Sequence, residues 1–125
     1  IPVHVRYENA SGSVAALAFL PSGESLFIGS FDGSGVAVDT KTWRPQSQMQ
    51  TQVALSAMAI SPDGRTFISG GHVGEDVGSL GSEVKIWDIS QGLAEVVLLN
   101  TISGASSRMP ARIYVTPDAS RFAVV

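Results

Sequence analysis

Ala57-Met58-Ala59-Ile60-Ser61-Pro62-Asp63-Gly64-Arg65-Thr66-Phe67-Ile68-Ser69-Gly70, completed by Glu83-Val84-Lys85-Ile86-Trp87-Asp88, decides how the whole chain reads. Ala57–Ile60 is a short apolar run of strand type. Ser61-Pro62-Asp63-Gly64 is a turn signal, because proline pre-sets the φ of a turn and glycine takes a positive φ without steric cost. Residues 65–70 return as a second strand, a glycine-rich loop is expected over 71–82, and Glu83–Asp88 is a third strand ending in Trp-Asp.

The neighbouring sequence repeats this cycle. Upstream come a strand over Val14–Leu20, the turn Pro21-Ser22-Gly23-Glu24, a strand over Ser25–Ser30, the turn Asp32-Gly33 and a strand over Gly35–Asp39. Downstream, 111–115, Thr116-Pro117-Asp118-Ala119 and 120–125 repeat its first half. Fourth strands are expected within Gln46–Val53 and Glu95–Asn100, with loops over Thr40–Pro45 and Thr101–Pro110. Val3, Val5 and Tyr7 alternate with His4 and Arg6, the period of a leading, half-buried strand. The first copy aligns with the second if one residue shifts within the turn, which pairs Phe27 with Phe67; the third aligns with the second without a gap. From Pro21 to Pro62 is 41 residues and from Pro62 to Pro117 is 55, the excess falling largely to the loop 71–82. Lengthening a loop costs little.

Strand, Pro-Asp-Gly turn, strand, loop and a third strand closing on Trp87-Asp88 resemble one blade of a WD-repeat β-propeller, whose period is ~40–45 residues. Tyr114-Val115-Thr116-Pro117-Asp118 is also similar to the YVTN-type repeat of other propellers. The resemblance implies an all-β chain of four-stranded antiparallel blades, about two and a half of them. They divide as a leading strand 3–7, blade one 14–53, blade two 54–100 with an insertion over 71–82, and the start of blade three at 111–125. Single blades cannot bury their faces and gain cover by stacking. The apolar runs Val14–Leu20 and Ala54–Ile60 are expected as innermost strands around a central channel. In this family a Gly-His pair before the first strand, an Asp in the turn after the second and a Trp closing the third form a buried hydrogen-bonded network. Asp32 matches the turn Asp in blade one, and Trp87-Asp88 matches in blade two, with Ser69 as the expected hydroxyl partner. Val38-Asp39 stands where blade one would have Trp-Asp, and neither copy has the His; His72 follows Gly71 but in a different loop.

Composition narrows the function classes. With 44% hydrophobic and 15% charged residues in 125, the chain can bury a core. Eight Lys and Arg are scattered and net charge is −3, which disfavours nucleic acid and anionic membrane surfaces. No apolar run approaches the ~18 residues of a membrane-spanning helix. The lack of cysteine excludes disulfides, Cys-ligated metals and Cys nucleophiles, and with the lack of a leader it leans toward a cytoplasmic or nuclear location. Ile1-Pro2-Val3-His4 lacks a Met, so the chain is expected to begin inside a longer or processed protein.

No catalytic, cofactor or metal set is expected. Neither His4 nor His72 lies in a motif that orients it against a serine, and no Gly-x-Ser-x-Gly elbow occurs. Residues 29–35 are glycine-rich but lack the Lys-Ser/Thr pair of a phosphate loop. His72, Glu75, Asp76 and Glu83 match no fixed ligand spacing. Partner contacts are expected instead, from the long loop with His72, Glu75 and Asp76, and from Trp43 and Arg44, residue types enriched at interfaces. Trp43 is weighed against a second role, a core aromatic packing between blades. The expectation is a non-catalytic protein–protein interaction scaffold. Its alternative is a propeller domain associated with an enzyme, lactonase- or peptidase-associated, whose catalytic residues lie elsewhere. Rings close with typically 4–8 blades, so the partners expected are the remainder of a propeller or other protein subunits, including an oligomer that closes the ring.

Overall fold

A computed structural model describes residues 13–51, 54–73, 81–92, 95–104, 110 and 112–125, and among these every regular element is a β-strand. Strands β1 (Val14–Phe19), β2 (Ser25–Ser30), β3 (Ser34–Asp39) and β4 (Pro45–Gln50) form an antiparallel sheet in sequence order. Strands β5 (Ala54–Ile60), β6 (Thr66–Val73), β7 (Gly81–Asp88) and β8 (Val97–Gly104) form a second sheet of the same order, and β9 (Ile113–Val115) pairs with β10 (Phe122–Val124). We call these blades one, two and three. The leading strand expected at 3–7 lies outside the described residues.

Three hairpin turns share one backbone pattern. Leu20 N–H donates to Ser25 O, Ser61 N–H to Thr66 O and Thr116 N–H to Arg121 O, at 2.8–3.0 Å. Gly23, Gly64 and Ala119 donate back to Leu20, Ser61 and Thr116. All three take a left-handed φ (76°, 72° and 59°), which glycine adopts freely and alanine does not.

These bonds overturn the one-residue shift. Leu20, Ser61 and Thr116 are equivalent without a gap, so Phe67 corresponds to Leu26, and Phe27 to Ile68. Side chains alternate across a strand, so residues one position apart address opposite faces. Phe27 therefore faces blade two and Phe67 faces blade one. Their rings meet across the gap with centroids 4.7 Å apart, tilted at 46°. The two phenylalanines share an interface, not a repeat position.

That pair lies in the main core, with Ala37, Trp87 and Ile89 buried around it and Met49, Met58 and Ile60 packed on its rim. A second cluster, Leu26, Ile28, Val36 and Val38, occupies the opposite face of blade one. A third, Ala57, Ile68, Val84 and Ile113, joins blades two and three, with Phe122 against it. The runs expected as innermost, β1 and β5, stand first in their sheets, but the burial is deepest elsewhere: β2 and the centre of β3 are buried, while Leu17 and Phe19 on β1 are each 59% exposed. Leu17 and Phe19 pair with Ile28 and Leu26, on the face turned away from blade two, whereas the middle strands are flanked within their own sheet.

Strand ends also differ from the expected bounds. Gly71, His72 and Val73 pair with Glu83, Ser82 and Gly81, so the ladder consumes both flanks of the expected loop 71–82. Gly71 is required there, because β5 bulges between Leu55 and Ala57 and a Cβ on Gly71 would fall 1.9 Å from Ala54 O. Residues 101–104, expected as loop, continue β8, and Pro45 opens β4.

Candidate interaction surfaces at the two ends of the blades

Antiparallel strands gather their connections at two ends of the sheets. One end carries the turns 20–24, 40–44, 61–65 and 116–121 with Ile89–Gly92. The other carries the turn 31–33, Thr51 and the facing ends of β6 and β7. The residues expected as partner contacts therefore do not form one surface. Trp43 and Arg44 sit at the first end and His72 at the second; Glu75 and Asp76 lie outside the described residues.

At the first end four of the five connections are closed by an aspartate, the turn 20–24 being the exception. Asp39 Oδ1 accepts from Lys41 N–H (2.7 Å) and Thr42 N–H (3.0 Å). Asp63 accepts from the Ser61 hydroxyl and from Arg65 N–H, and Asp88 from Ser90 N–H. Asp118 accepts from the Thr116 hydroxyl (2.6 Å) and from both Ser120 donors. Bonds to the charged form favour it. The Thr42 and then Lys41 amides hold Asp39 below its ordinary value, the Ser61 hydroxyl does so for Asp63, and Ser90 does so for Asp88. Asp118 falls to about 2, chiefly through Thr116 and then Ser120. Carboxylates engaged in this way fasten turns and are poor proton donors.

Trp43 belongs to the packing rather than to an exposed anchor. It is half-buried against Leu26, Ile28, Val36 and Val38. Its φ is 58°, and its N–H donates to Asp39 O at 2.7 Å. Four residues after Asp88 the same left-handed position is held by Gly92, with φ 92°. A bulky residue at positive φ is uncommon and persists only where surroundings hold it. Arg44 is exposed beside it.

A polar clip closes the second end. Thr51 donates from N–H and from its hydroxyl to Gly33 O, both at 2.8 Å, while its own carbonyl accepts from Lys85 Nζ at 2.8 Å. Lys85 also pairs with the largely buried Glu83 at 3.3 Å and stands 5.9 Å from the Trp87 ring centre. Glu83, Lys85 and Trp87 share one face of β7, a spacing legible in the sequence but not read from it. His72 is cross-strand from Ser82, and Glu83 from Gly71, so His72 and Glu83 point to opposite faces. His72 Nδ1 is buried without a hydrogen-bond partner among the described residues. Among the described residues, no cluster of three or more His, Cys, Asp or Glu could hold a metal.

Inside blade two, Trp87 Nε1 donates to Ser69 Oγ at 2.9 Å, and both residues are buried. Blade one has Val38 and Ile28 at the equivalent positions, an apolar pair. Asp32 lies exposed in its turn and accepts from Ser34 N–H (2.9 Å) and Oγ (2.5 Å); Val38 stands where β3 would close on an indole.

This blade also matches a known family. The model of the WD domain, G-beta repeat, matches residues 43–88, from the end of blade one to the Trp-Asp that closes β7. Residues 43–88 carry a WD repeat. A search of curated protein sequences finds no match for the chain. Among solved structures, the chain is similar to Kuenenia stuttgartiensis hydrazine synthase, with a TM-score of 0.66 and 20% identity over 98% of this chain and 32% of that one. At that identity the likeness is one of fold, and the chain spans about a third of that neighbour's length. With the WD repeat and the antiparallel sheets, it makes the chain a β-propeller segment: two four-stranded blades and the inner hairpin of a third.

Proposed function

We propose that this propeller segment is a non-catalytic protein-interaction scaffold within a larger ring or assembly. One observation carries the reading: a WD repeat whose indole bond is intact, packed face to face on a second complete blade. WD-repeat propellers generally act by presenting loops from a stable ring, and loops on rigid scaffolds carry binding disproportionately. Carboxylates committed to turn closure agree with a structural use of the first end. We place the partner contact at the second end, on the connection between Val73 and Gly81, with His72, Glu75 and Asp76 contributing. The blade boundaries proposed are 14–53, 54–100 and 111 onward. The printed name of the structural neighbour is that of an enzyme, and 20% identity transfers its fold and no activity.

The test replaces residues 74–80 by a short Gly-Ser linker and compares affinity capture of cell proteins by the two forms, with unfolding curves as a control. The scaffold reading expects specific partners to be lost while the melt stays the same. Unchanged capture with an unchanged melt would remove the loop as the contact.

A further inference from the structure

In the gapless alignment Leu26, Ile28, Val36 and Val38 of blade one correspond to Phe67, Ser69, Lys85 and Trp87 of blade two. In blade two that face lies against blade one, and Phe67 and Trp87 belong to the core between them. In blade one the same face is turned away from blade two, with no described blade beyond it. It is closed all the same. Val38 is 0% and Ile28 4% exposed, and Leu26 and Val36 are buried with them. On the β1 rim of this face Leu17 and Phe19 stay open, although their equivalents Met58 and Ile60 pack on the core between the blades. The centre of the face is covered and its rim is not.

Among the described residues, the hydrophobic side chain set on this cluster is Trp43, half-buried and entering from the turn after β3. Ile28 and Val36 pair two residues further from that turn than Leu26 and Val38 do, which is roughly 7 Å along the strands. A single half-buried indole at one end leaves this far pair in need of a second cover. Chain topology leaves one source for it. Residues 52–53 lead from β4 to β5, 74–80 and 93–94 connect strands of blade two, and the stretch from β8 to β9 leads on to blade three. All of these serve the side of blade one that faces blade two. Residues 1–12 join β1 alone.

We propose that residues 3–7 lie extended across the outer face of blade one, with Val3, Val5 and Tyr7 on Leu26, Ile28, Val36 and Val38, and with His4 and Arg6 toward solvent. The alternation supplies the apolar side that such a cover needs. The tether is long enough. Ser13 is fixed beside β2, its carbonyl accepting from Phe31 N–H at 2.9 Å. Six residues from there span up to about 20 Å, the length of the face. Attachment to β1 also gives the segment a high effective concentration, which favours it over any separate molecule. It holds the position relative to blade one that blade one holds relative to blade two, and stacked repeats need such a cover where no other repeat reaches.

Neighbouring residues on β3 separate the two faces of the blade. Val36→Cys places a thiol on the outer face and Ala37→Cys one on the face toward blade two, in a chain with no other cysteine. Reaction of each with a thiol reagent is followed in the full chain. Val3→Ser, Val5→Ser and Tyr7→Ser together are expected to speed labelling of Val36→Cys at least about tenfold and to leave Ala37→Cys unchanged, since only the outer face opens. His4→Ser with Arg6→Ser should leave both slow. No acceleration at Val36→Cys overturns the proposal. Equal acceleration at both positions also overturns it, because the segment would then support the whole fold and not this face. Release of Val36→Cys by the His4 and Arg6 replacements refutes the inward set. Val5→Ser alone, a milder change, is expected to act in the same sense with a smaller effect, and circular dichroism melts confirm that each variant is folded.

Discussion

Blade one and blade two build the same sheet around different closing pairs. Blade two closes on Trp87 with its indole bonded to Ser69, while blade one closes on Val38 beside Ile28. A buried hydrogen bond contributes only about 0.5–1.5 kcal/mol net, but leaving one partner without the other costs about 1–3 kcal/mol. Each solution is therefore stable as a pair and poor as a half. The family signature is one of two workable chemistries at this point of the blade, which is why a degenerate copy can sit beside a clear one. Trp43 adds a second contrast: blade one sets an aromatic on its outer cluster from a left-handed position that blade two gives to Gly92.

The two blades share one interface, and breaking it should have the largest effect. Phe67→Ala and Phe27→Ala are each expected to cost about 3–5 kcal/mol in urea unfolding, by similar amounts from either side. A small effect from one of them would show that the interface belongs to the other blade alone. Next comes an exchange of closing pairs. Trp87→Val is expected to cost about 3 kcal/mol, through a cavity and the loss of the indole bond to Ser69. Adding Ser69→Ile should recover part of this, since it recreates the pair of blade one. A double variant no better than the single would deny that the two pairs are equivalent. Ser69→Ala, which strips the indole of its acceptor, is expected to cost about 1–2 kcal/mol, seen as a lower unfolding midpoint.

Smaller effects separate the third copy from the other two. Ala119→Gly puts glycine where Gly23 and Gly64 already stand, and a gain of about 1 kcal/mol is expected in thermal unfolding. Asp118 gives a pH signature. Its pKa falls from 3.8 to about 2 in the folded chain, so its contribution is complete above the unfolded value and disappears as pH drops through the folded one. Between pH ~4 and ~2, Asp118→Asn should flatten the fall in unfolding midpoint; an unchanged slope would contradict the Thr116 and Ser120 bonds.

Much of this architecture was legible as punctuation. Proline and glycine marked the hairpins because turns limit φ, and Trp87 with Ser69 was legible because an indole N–H inside a sheet demands an acceptor. The register of copy one was misread, since two phenylalanines near matching positions outweighed the alternation that puts them on opposite faces. Strand bounds at 71–73, 81–82 and 101–104 were missed because Gly71, Gly81, Ser82, Ser103 and Gly104 carry little strand preference and outweighed Val73, Thr101 and Ile102; a cross-strand partner decided their state. The Thr51–Lys85 clip joins residues far apart in sequence, and no local pattern announces it. The separation of Trp43 from His72 onto opposite ends follows from strand count alone and could have been derived.

The meeting of Phe27 with Phe67 makes parity a hereditary property of this chain. Along each strand alternate positions address the preceding and the following blade, so a duplicated blade fits only if its tight hairpins keep their length. One residue gained or lost at Pro21-Ser22-Gly23, unless a bulge absorbed it, would exchange the two neighbours that every side chain on the strand serves. Length can drift between Val73 and Gly81, beyond the last paired rung, without disturbing that parity. The spacing between prolines has therefore been free to grow from 41 to 55 residues while the three hairpin turns have not changed by one.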